Sequence, residues 1–310
     1  MNIVGLESLV FGVEDLDACR DYLRDYGLTE IEAHAQGVTF AALDGSTVEA
    51  RRASDATLPS ANAPSPNLRE TVYGVADAAT LDAIAAELER DRPVTLDRDG
   101  RLHSVDDGGF AIAFQVSRRR AFTAPPVLIN VPGQPVQRGV NQVGADHAAI
   151  VRPRSLSHVV YFVPDVEKSE AFYRDRLGFR ITDRFIGLGP FMRPQGTLEH
   201  HCLFMIQSFN SHMTGMNHFT FHMGAAHEVW QAGWRFQNKG YRSFWGPGRH
   251  VLGSNHFWYF NSPFGGTIEY DADMDLHDDT WQARAVPPGA DSSQIFLFDY
   301  RTKWAPGDAE

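Results

Sequence analysis

Cysteine and long apolar runs are both scarce in this sequence. Only Cys19 and Cys202 occur in 310 residues, one in each half, which excludes a disulfide framework as the basis of the fold. No apolar run reaches the roughly 18 residues that a membrane-spanning helix needs. The N-terminal segment carries acidic residues where a secretory signal would carry a basic stretch and then an apolar one. We therefore expect a cytoplasmic protein without a membrane partner.

Positive charge is also in short supply. Lys and Arg total 28 against 39 Asp and Glu, which gives a formal net charge of −11. Nucleic-acid binding depends on a basic surface that displaces counterions from the phosphate backbone. The one basic cluster, residues 118–120, suits the solvated edge of a domain. The charge balance therefore argues against nucleic acid as a partner.

What the sequence does contain is the profile of a folded globular protein, with 43% hydrophobic and 22% charged residues. Its length suits two domains, each with a core of its own. A segment rich in proline, without alternating apolar residues, separates two similar halves. We predict a structural domain at residues 1–120, a linker at 121–154, a second domain at 155–274, and a tail at 275–310 that packs on or over a site in the second domain.

An internal repeat runs through both halves. A strand, an acidic turn and an amphipathic helix at residues 9–28 recur at residues 159–179, and each helix ends at a glycine, Gly27 or Gly178. The pattern returns more loosely from residue 71 and from residue 219. Each copy leads into short strands, and paired copies can close their sheets around a shared concavity. The sequence therefore predicts an α+β fold of four βαβββ modules paired into two domains, each an open, barrel-like sheet around a cavity.

Three potential metal ligands occupy matching places in the second half. His158 opens the first strand of one module, His218 opens the first strand of the next, and Glu269 lies near the end of the last strand. Because alternate residues of a strand share a face, paired modules would point these side chains into one cavity. Two imidazoles and one carboxylate leave open positions on the far side of an ion. That arrangement suits ferrous iron, although zinc, nickel or manganese would accept the same ligands.

The first half cannot repeat this site. Its corresponding residues are Ser8, Glu70 and Ile112, which do not form the same ligand set. One half is therefore expected to carry the chemistry and the other to be structural.

Three further polar residues are expected near the ion. His201 lies in a segment that otherwise reads as an apolar strand, and His250 ends a glycine-rich approach that lets the backbone come close to a ligand. Tyr259 shares a face with Glu269 if residue 257 is the cross-strand partner of Glu269. A structural role is an open alternative for each. Weaker candidates, for which we prefer a structural role, are His212, His222 and His256.

The motifs that carry a family resemblance are Leu156-Ser157-His158, Phe162-Val163-Pro164-Asp165, His200-His201, Asn217-His218-Phe219, Gly248-Arg249-His250 and the stretch from Tyr259 to Tyr270. At these residues the sequence resembles the vicinal oxygen chelate superfamily and, within it, the type I extradiol ring-cleavage dioxygenases. The resemblance covers nearly the whole chain and implies the vicinal oxygen chelate fold with an inactive N-terminal domain.

The resemblance implies a non-haem Fe(II) enzyme of aromatic hydrocarbon catabolism, with Mn(II) as the alternative metal. It assigns the metal to His158, His218 and Glu269. His201 would be the acid–base group beside the oxygen site, and His250 and Tyr259 would contact the substrate oxygens. The partners would be a small aromatic diol and O2, the product a ring-opened semialdehyde, and the assembly a homo-oligomer.

Two features depart from the family pattern. Residues 251–255 lack an acidic residue that biphenyl-type relatives carry there, which leaves the substrate open. The tail from residue 275 is long for the fold, and its aromatic residues would form either a cover over the site or a subunit contact. These aromatic residues are Trp281, Phe296, Phe298, Tyr300 and Trp304.

Two other functions stay open on the same fold. A glyoxalase-type isomerase, lyase or hydrolase would use zinc or nickel without oxygen. Such sites usually add a second carboxylate ligand, and the matching positions here offer only one. A non-catalytic ligand-binding protein of the bleomycin-resistance type would need no metal triad at all.

Overall fold

Two mixed β-sheets form the scaffold in the computed structural model, which describes residues 1–124, 126–146 and 149–298. The first half contains β1 (Ile3–Val13), α1 (Leu16–Tyr26), β2 (Thr29–His34), β3 (Gly37–Ala41), β4 (Thr47–Arg52), β5 (Asn67–Val75), α2 (Ala78–Leu88), β6 (Thr95–Leu96), β7 (Leu102–Val105) and β8 (Ala111–Val116). The second half contains β9 (Ser155–Val163), α3 (Val166–Ala171) with a π-helical turn at Phe172–Arg176, β10 (Arg180–Phe185), β11 (Gly189–Arg193), β12 (Leu203–Gln207), β13 (Gly215–His222), α4 (Ala226–Asn238), β14 (Ser243–His250), β15 (His256–Asn261), β16 (Thr267–Ala272), β17 (Arg284–Val286), α5 (Ala290–Ser293) and β18 (Gln294–Leu297).

Each sheet is built from two modules of one strand, one helix and three strands. The first sheet has the order β2-β3-β4-β1-β5-β8-β7-β6, and the second has the order β17-β10-β11-β12-β9-β13-β16-β15-β14-β18. In both sheets the two modules join through their first strands, which pair antiparallel as β1 with β5 and β9 with β13. The predicted α+β fold of four βαβββ modules is confirmed. The tail adds one strand to each edge of the second sheet.

Helix α1 shows why the repeated pattern folds as predicted. The Asp15 side chain accepts a hydrogen bond from the Ala18 N–H at 2.9 Å, which satisfies one of the free donors of the first turn. The helix ends at Gly27, whose φ of 115° lies in the left-handed region where a side chain would be strained. Gly178 takes the same role after the π-helical turn, with a φ of 77°. The predicted glycine stops are therefore confirmed.

The strands that carry His158 and His218 are both longer than predicted. β9 begins at Ser155 and β13 begins at Gly215, so His158 and His218 lie inside their strands and do not open them. Glu269 likewise lies in the middle of β16 and not near its end. The reason is the antiparallel pairing of β9 with β13, which runs from the partners Ser155 and His222 to the partners Phe162 and Gly215 and orders both strand ends.

The two halves share one core, so the expectation of separate cores is wrong. The Phe11 and Phe219 rings are 5.1 Å apart, and Tyr26 stacks on Tyr270 with centroids 3.9 Å apart. The Tyr26 hydroxyl also donates to the Glu269 backbone carbonyl at 2.6 Å. Helix α1 of the first half thus packs directly behind the strand that carries Glu269. The domain boundaries that we derived from the sequence stay a prediction.

Between β8 and β9 the described residues form no strand or helix. The end of this connection is nevertheless tied down, because the Leu43 N–H donates to the Pro153 carbonyl at 3.1 Å. Among the helices in the described ranges, none is both long and apolar enough to cross a membrane.

Candidate metal centre

The structure brings His158, His218 and Glu269 together around one point. The two histidines come from the antiparallel strands β9 and β13, and the carboxylate comes from β16, which runs parallel to β13. His158 Nε2 is 3.3 Å from His218 Nε2 and 3.2 Å from Glu269 Oε2. His218 Nε2 is 3.7 Å from the same carboxylate oxygen. All three residues are buried, and among the described residues they form the one cluster with metal-ligand spacing.

Neighbouring side chains hold both rings so that their Nε2 atoms face the Glu269 carboxylate, and His158 Nε2 also lies 3.0 Å from Thr220 Oγ1. His218 Nδ1 lies 2.6 Å from Asn217 Oδ1, and an amide oxygen can only accept, so Nδ1 carries the proton. His158 Nδ1 lies 2.9 Å from Ser157 Oγ, and that hydroxyl donates in turn to Asp271 Oδ2 at 3.2 Å. In both rings the lone pair is then on Nε2. Hydrogen bonds of this kind orient the histidine ligands of metal sites.

The carboxylate of Glu269 also fits a metal. Thr220 Oγ1 donates to Oε2 at 2.6 Å, whereas the buried Oε1 has no hydrogen bond within the described residues and only a longer contact, 3.5 Å, with His250 Nε2. A buried oxygen without a partner is costly unless a cation satisfies it. Burial alone would raise the pKa of Glu269, but contacts with His158 and His250 hold that pKa below its ordinary range.

Burial lowers the pKa of His218 to about 3. The imidazole is therefore neutral near pH 7, as a metal ligand must be. The residues present thus fit a divalent cation that accepts two nitrogen ligands and one oxygen ligand, and their geometry leaves the cavity side open.

A cavity of about 270 Å³ opens on this cluster. Its described lining contains no lysine, arginine, aspartate or glutamate side chain. Phe191 stacks on Phe204 with ring centroids 4.0 Å apart, and these two belong to a small apolar cluster with Val160 and Leu252. The other large apolar residues of the lining are Phe185, Ile206, Phe244 and Trp245. The site therefore has a polar wall of histidines and an uncharged, mainly aromatic wall.

His201, His250 and Tyr259 all line this cavity, as expected from the sequence. His201 does not lie in a strand, however. It precedes β12, because the neighbouring His200 N–H donates to the Asp275 carbonyl of the tail at 2.9 Å and not to a sheet partner. Its ring centroid is 4.2 Å from that of His158. Burial, followed by the neighbouring histidines, lowers the pKa of His201.

The β15–β16 register differs from the prediction. Tyr259, and not residue 257, is the direct partner of Glu269, because β15 continues through Asn261 and the turn moves to residues 262–266. A two-residue shift keeps side chains on the same face, so the expected proximity of Tyr259 and Glu269 holds. The Tyr259 hydroxyl is 3.2 Å from His250 Nε2, and burial raises the Tyr259 pKa above its ordinary value.

The weaker histidine candidates do not line the cavity. His212 is exposed, and the His256 ring is 5.8 Å from that of Trp230 on α4. His222 Nδ1 lies 2.7 Å from Asp271 Oδ1, and His222 Nε2 lies 3.3 Å from Glu199 Oε1. His222 therefore belongs to a partly buried charged group with Asp271 and Glu199, outside the cavity lining. Burial would lower its pKa, but the two carboxylates raise it well above the ordinary value.

Several residues that support the site belong to none of the candidate residues predicted from the sequence. Ser157, Asn217 and Thr220 lie beside or two residues from a ligand on the same strand, and Asp271 lies two residues after Glu269. A polar side chain two residues from a candidate ligand is the signal that would have found Thr220 and Asp271, since alternate strand residues share a face. Ser157 and Asn217 lie directly beside a histidine, and the strand pattern gives no signal for them.

Within the part of the chain that the structure describes, the first half has no equivalent cluster. Ala113 occupies the third place of β8, as Glu269 does in β16, so the position given as Ile112 is wrong by one residue. The pairing agrees, because Val72 pairs with Ala113 as Thr220 pairs with Glu269. Alanine offers no ligand atom.

The tail reaches the cavity through Ser293. This residue lines the cavity, and its carbonyl is 3.3 Å from His250 Nδ1. Trp281 stacks on His277 at 3.8 Å and is not part of the lining. Phe296 and Phe298 pack on each other, with centroids 4.9 Å apart. The other two aromatic residues named in the tail, Tyr300 and Trp304, lie outside the described residues.

Comparison with known proteins finds similarity over the segment that carries this site. The family model of the Glyoxalase/Bleomycin resistance protein/Dioxygenase superfamily matches residues 155–270. Metapyrocatechase 2 of Cupriavidus necator is 38% identical over 183 residues, which are 59% of this chain and 53% of that protein. The match therefore spans about half the length of that relative.

Solved structures share the fold. The Mn(II)-bound glyoxalase from Novosphingobium aromaticivorans superimposes with a TM-score of 0.74 at 21% identity, covering 94% of this chain and 90% of its own. The 2,2',3-trihydroxybiphenyl 1,2-dioxygenase from Sphingomonas wittichii strain RW1 gives 0.72 at 18% identity, covering 97% of this chain and 100% of its own. Residues 155–270 thus match the model of the Glyoxalase/Bleomycin resistance protein/Dioxygenase superfamily, and the chain shares its fold with these solved structures.

Proposed function

We propose that this chain is an extradiol ring-cleavage dioxygenase that inserts O2 into a small aromatic diol, with Fe(II) held by His158, His218 and Glu269. The observation that carries the proposal is a candidate ligand set of two imidazoles that line an uncharged, mainly aromatic cavity and one buried carboxylate beside them. Similarity to metapyrocatechase 2 supports it. Mn(II) is the alternative metal, and a cytoplasmic homo-oligomer stays our prediction for the protein in the cell.

A bound ferrous ion would supply adjacent open positions for the diol oxygens and for O2. The protein's own residues would do the rest. His250 and Tyr259 lie side by side on the wall next to Glu269, where they would hold the diol oxygens by hydrogen bonds. His201, across the cavity beside His158, would hold or transfer a proton during ring opening. The stacked Phe191 and Phe204 would pack on the substrate and exclude water.

The lining also suggests which diols bind. A carboxylate-bearing diol would place its charge against an uncharged wall, because the described lining contains no lysine or arginine. The small volume suits one ring with a modest substituent. The preferred substrate is therefore an uncharged diol, either unsubstituted or with an apolar group.

The test is anaerobic loading of the metal-free protein with Fe(II), followed by oxygen electrode and absorbance measurements with a panel of diols. The panel contains catechol, alkyl- and aryl-substituted catechols, and carboxylated catechols. We expect oxygen uptake matched by a yellow ring-opened product, with the carboxylated diols slowest. Absence of oxygen uptake with every diol would overturn the proposal. Turnover of a glyoxalase-type substrate with zinc or nickel would then support the rival function.

A further inference from the structure

A buried chain of side chains leads from His201 away from the cavity. His201 Nδ1 is 2.9 Å from His200 Nδ1, and His200 Nε2 is 2.9 Å from Asp183 Oδ2. His200 and Asp183 are both 0% exposed. Asp183 Oδ1 accepts hydrogen bonds from the Arg284 backbone N–H at 2.8 Å and from Arg284 Nε at 3.1 Å. None of the three residues behind His201 lines the cavity.

We propose that Asp183, His200 and Arg284 are positioning residues that keep the proton of His201 on Nδ1 and so present Nε2 to the cavity as a proton acceptor. The assignment rests on the proposed function, because it describes how that site prepares its acid–base histidine. Asp183 in β10 and Arg284 in the tail both lie outside the candidate metal centre.

The order of protons follows from what each atom can do. A carboxylate accepts only, so His200 Nε2 must carry a proton and donate it to Asp183. A neutral His200 then has its lone pair on Nδ1, and the proton between the two Nδ1 atoms must belong to His201. Burial, partly offset by Asp183, lowers the pKa of His200, which agrees with a neutral ring. The remaining nitrogen of His201, Nε2, is left without a proton.

Packing holds the His200 ring in this orientation. A Cβ added at Gly253 would lie 3.0 Å from His200 Nδ1, so the backbone there approaches the ring as closely as glycine allows. The His277 ring centroid is 5.4 Å from that of His200. His277 lies two residues after Asp275, whose carbonyl accepts a hydrogen bond from the His200 N–H. Both neighbours limit rotation of the imidazole, and rotation would break the contact with Asp183.

Arg284 connects the tail to this chain. It lies opposite Asp183 in the parallel pair of β10 with β17. Burial would raise the pKa of Asp183, but hydrogen bonds from His200 and then from Arg284 lower it to about 2. The carboxylate therefore stays ionised. Arg284 lies beyond residues 155–270, which match the family model. The tail would therefore supply a working part of the site as well as cover one edge of the sheet.

The decisive variant is Asp183→Asn. It keeps the shape, but its amide can donate to His200 Nε2, which moves the His200 proton to Nδ1 and the His201 proton to Nε2. The readout is the ¹⁵N chemical shifts of the two ring nitrogens of His201 in the Zn(II)-loaded protein, assigned with His201→Gln. We expect a protonated Nδ1 in the wild type and a protonated or mixed Nε2 in the variant. A protonated Nε2 in the wild type, or no change in the variant, would overturn the proposal.

Kinetics of the Fe(II) protein give an independent measurement. Loss of an outer hydrogen-bond partner of this kind costs about ten- to a hundredfold in activity. We expect that loss in kcat, with KM for the diol and bound metal unchanged. If Asp183 had a purely structural role, Asp183→Asn would lower stability or metal content and leave the protonation of the His201 ring nitrogens unchanged.

Because Asp183→Asn could unfold the protein, Arg284→Gln provides a milder change at a partly exposed side chain. It should shift the same ¹⁵N signals in the same direction, and no shift in this variant would also count against the proposal. Arg174→Gln, which removes a comparably exposed ion pair outside the cavity lining, is the matched control. The ¹⁵N result does not require oxygen chemistry. Absent oxygen uptake in the wild type would therefore overturn the proposed function alone.

Discussion

Tyr259 is the direct cross-strand partner of Glu269 in the antiparallel pair of β15 and β16. This pairing places a phenol beside the carboxylate of the candidate metal centre and brings its hydroxyl to 3.2 Å from His250 Nε2. Tyr259, whose role is inferred from a motif, thus lies next to the predicted ligand Glu269 because the two residues are direct partners in the sheet. Direct partners in a sheet lie on the same face, with their Cβ atoms about 5 Å apart.

Tyr259→Phe should impair turnover while leaving the metal in place. The ring keeps its packing, and the lost hydroxyl removes one hydrogen bond to the diol. If that bond forms with an ionised oxygen it is worth about 1.5–3 kcal/mol, or roughly 10- to 150-fold in kcat/KM. Steady-state oxygen uptake together with metal analysis measures both quantities. Tyr241→Phe, which removes a hydroxyl that bonds Asp25 away from the cavity, should behave as wild type. Unchanged kcat/KM in Tyr259→Phe would remove this residue from the proposed site.

Glu269→Gln should abolish metal binding. The substitution preserves volume but replaces the one anionic ligand by a neutral amide, and ligand affinity depends on that charge. Metal analysis after loading and dialysis should fall from one ion per chain to near zero, with an unchanged circular dichroism spectrum. Glu7→Gln is the matched control, because Glu7 is also buried but accepts from Ser117 and Arg118 far from the site. Stoichiometric iron in Glu269→Gln would contradict the assignment.

The partly buried charged group of His222, Asp271 and Glu199 should make stability depend on pH through His222. Asp271 and Glu199 raise the pKa of this imidazole against the effect of burial. A raised pKa adds stability that is complete below the ordinary value of about 6.5 and is lost as pH rises through the pKa in the folded protein. Urea unfolding of the metal-free wild type and of His222→Gln, followed from acid to alkaline pH, measures this effect.

The free-energy advantage of the wild type over His222→Gln should therefore be largest on the acid side and shrink as the pH rises. His212→Gln, at an exposed position, is the control and should follow the wild type throughout. A constant difference between wild type and His222→Gln across the range would show that His222 is neutral in the folded protein.

Ile206→Lys should change which diols react. Ile206 lies in the uncharged wall of the cavity beside the cluster of Phe191 and Phe204. A lysine there would pair with a carboxylate and disfavour an apolar substituent. The ratio of kcat/KM for a carboxylated catechol to that for an alkylcatechol should rise by about tenfold or more, which corresponds to a difference of about 1.4 kcal/mol. Ile206→Met keeps the wall apolar and should leave the ratio unchanged. An unchanged ratio in Ile206→Lys would place the substituent elsewhere.

Much of the fold and the ligand set could be predicted from residue patterns. Alternating strands, acidic helix caps and glycine stops are local signals, and their fourfold recurrence indicates the modules. The recurrence also made His158 and His218 stand out, because they occupy the same place in paired modules. Details that depend on pairing were wrong, including the strand ends, the β15–β16 register and the counterpart at Ile112. Hydrogen bonds between strands that are distant in sequence decide these details, and no local sequence pattern predicts those hydrogen bonds.

The sequence by itself determined the four modules and the convergence of His158, His218 and Glu269, since these follow from side-chain periodicity and residue type. Only the tertiary structure decided that the two halves share one core and that Asp183 and Arg284 lie behind His200. Asp183 is 17 positions from His200 along the chain, and Arg284 is 101 positions from Asp183. Their contact exists because the tail adds a parallel strand beside β10, and nothing in the local sequence specifies which edge that strand will join.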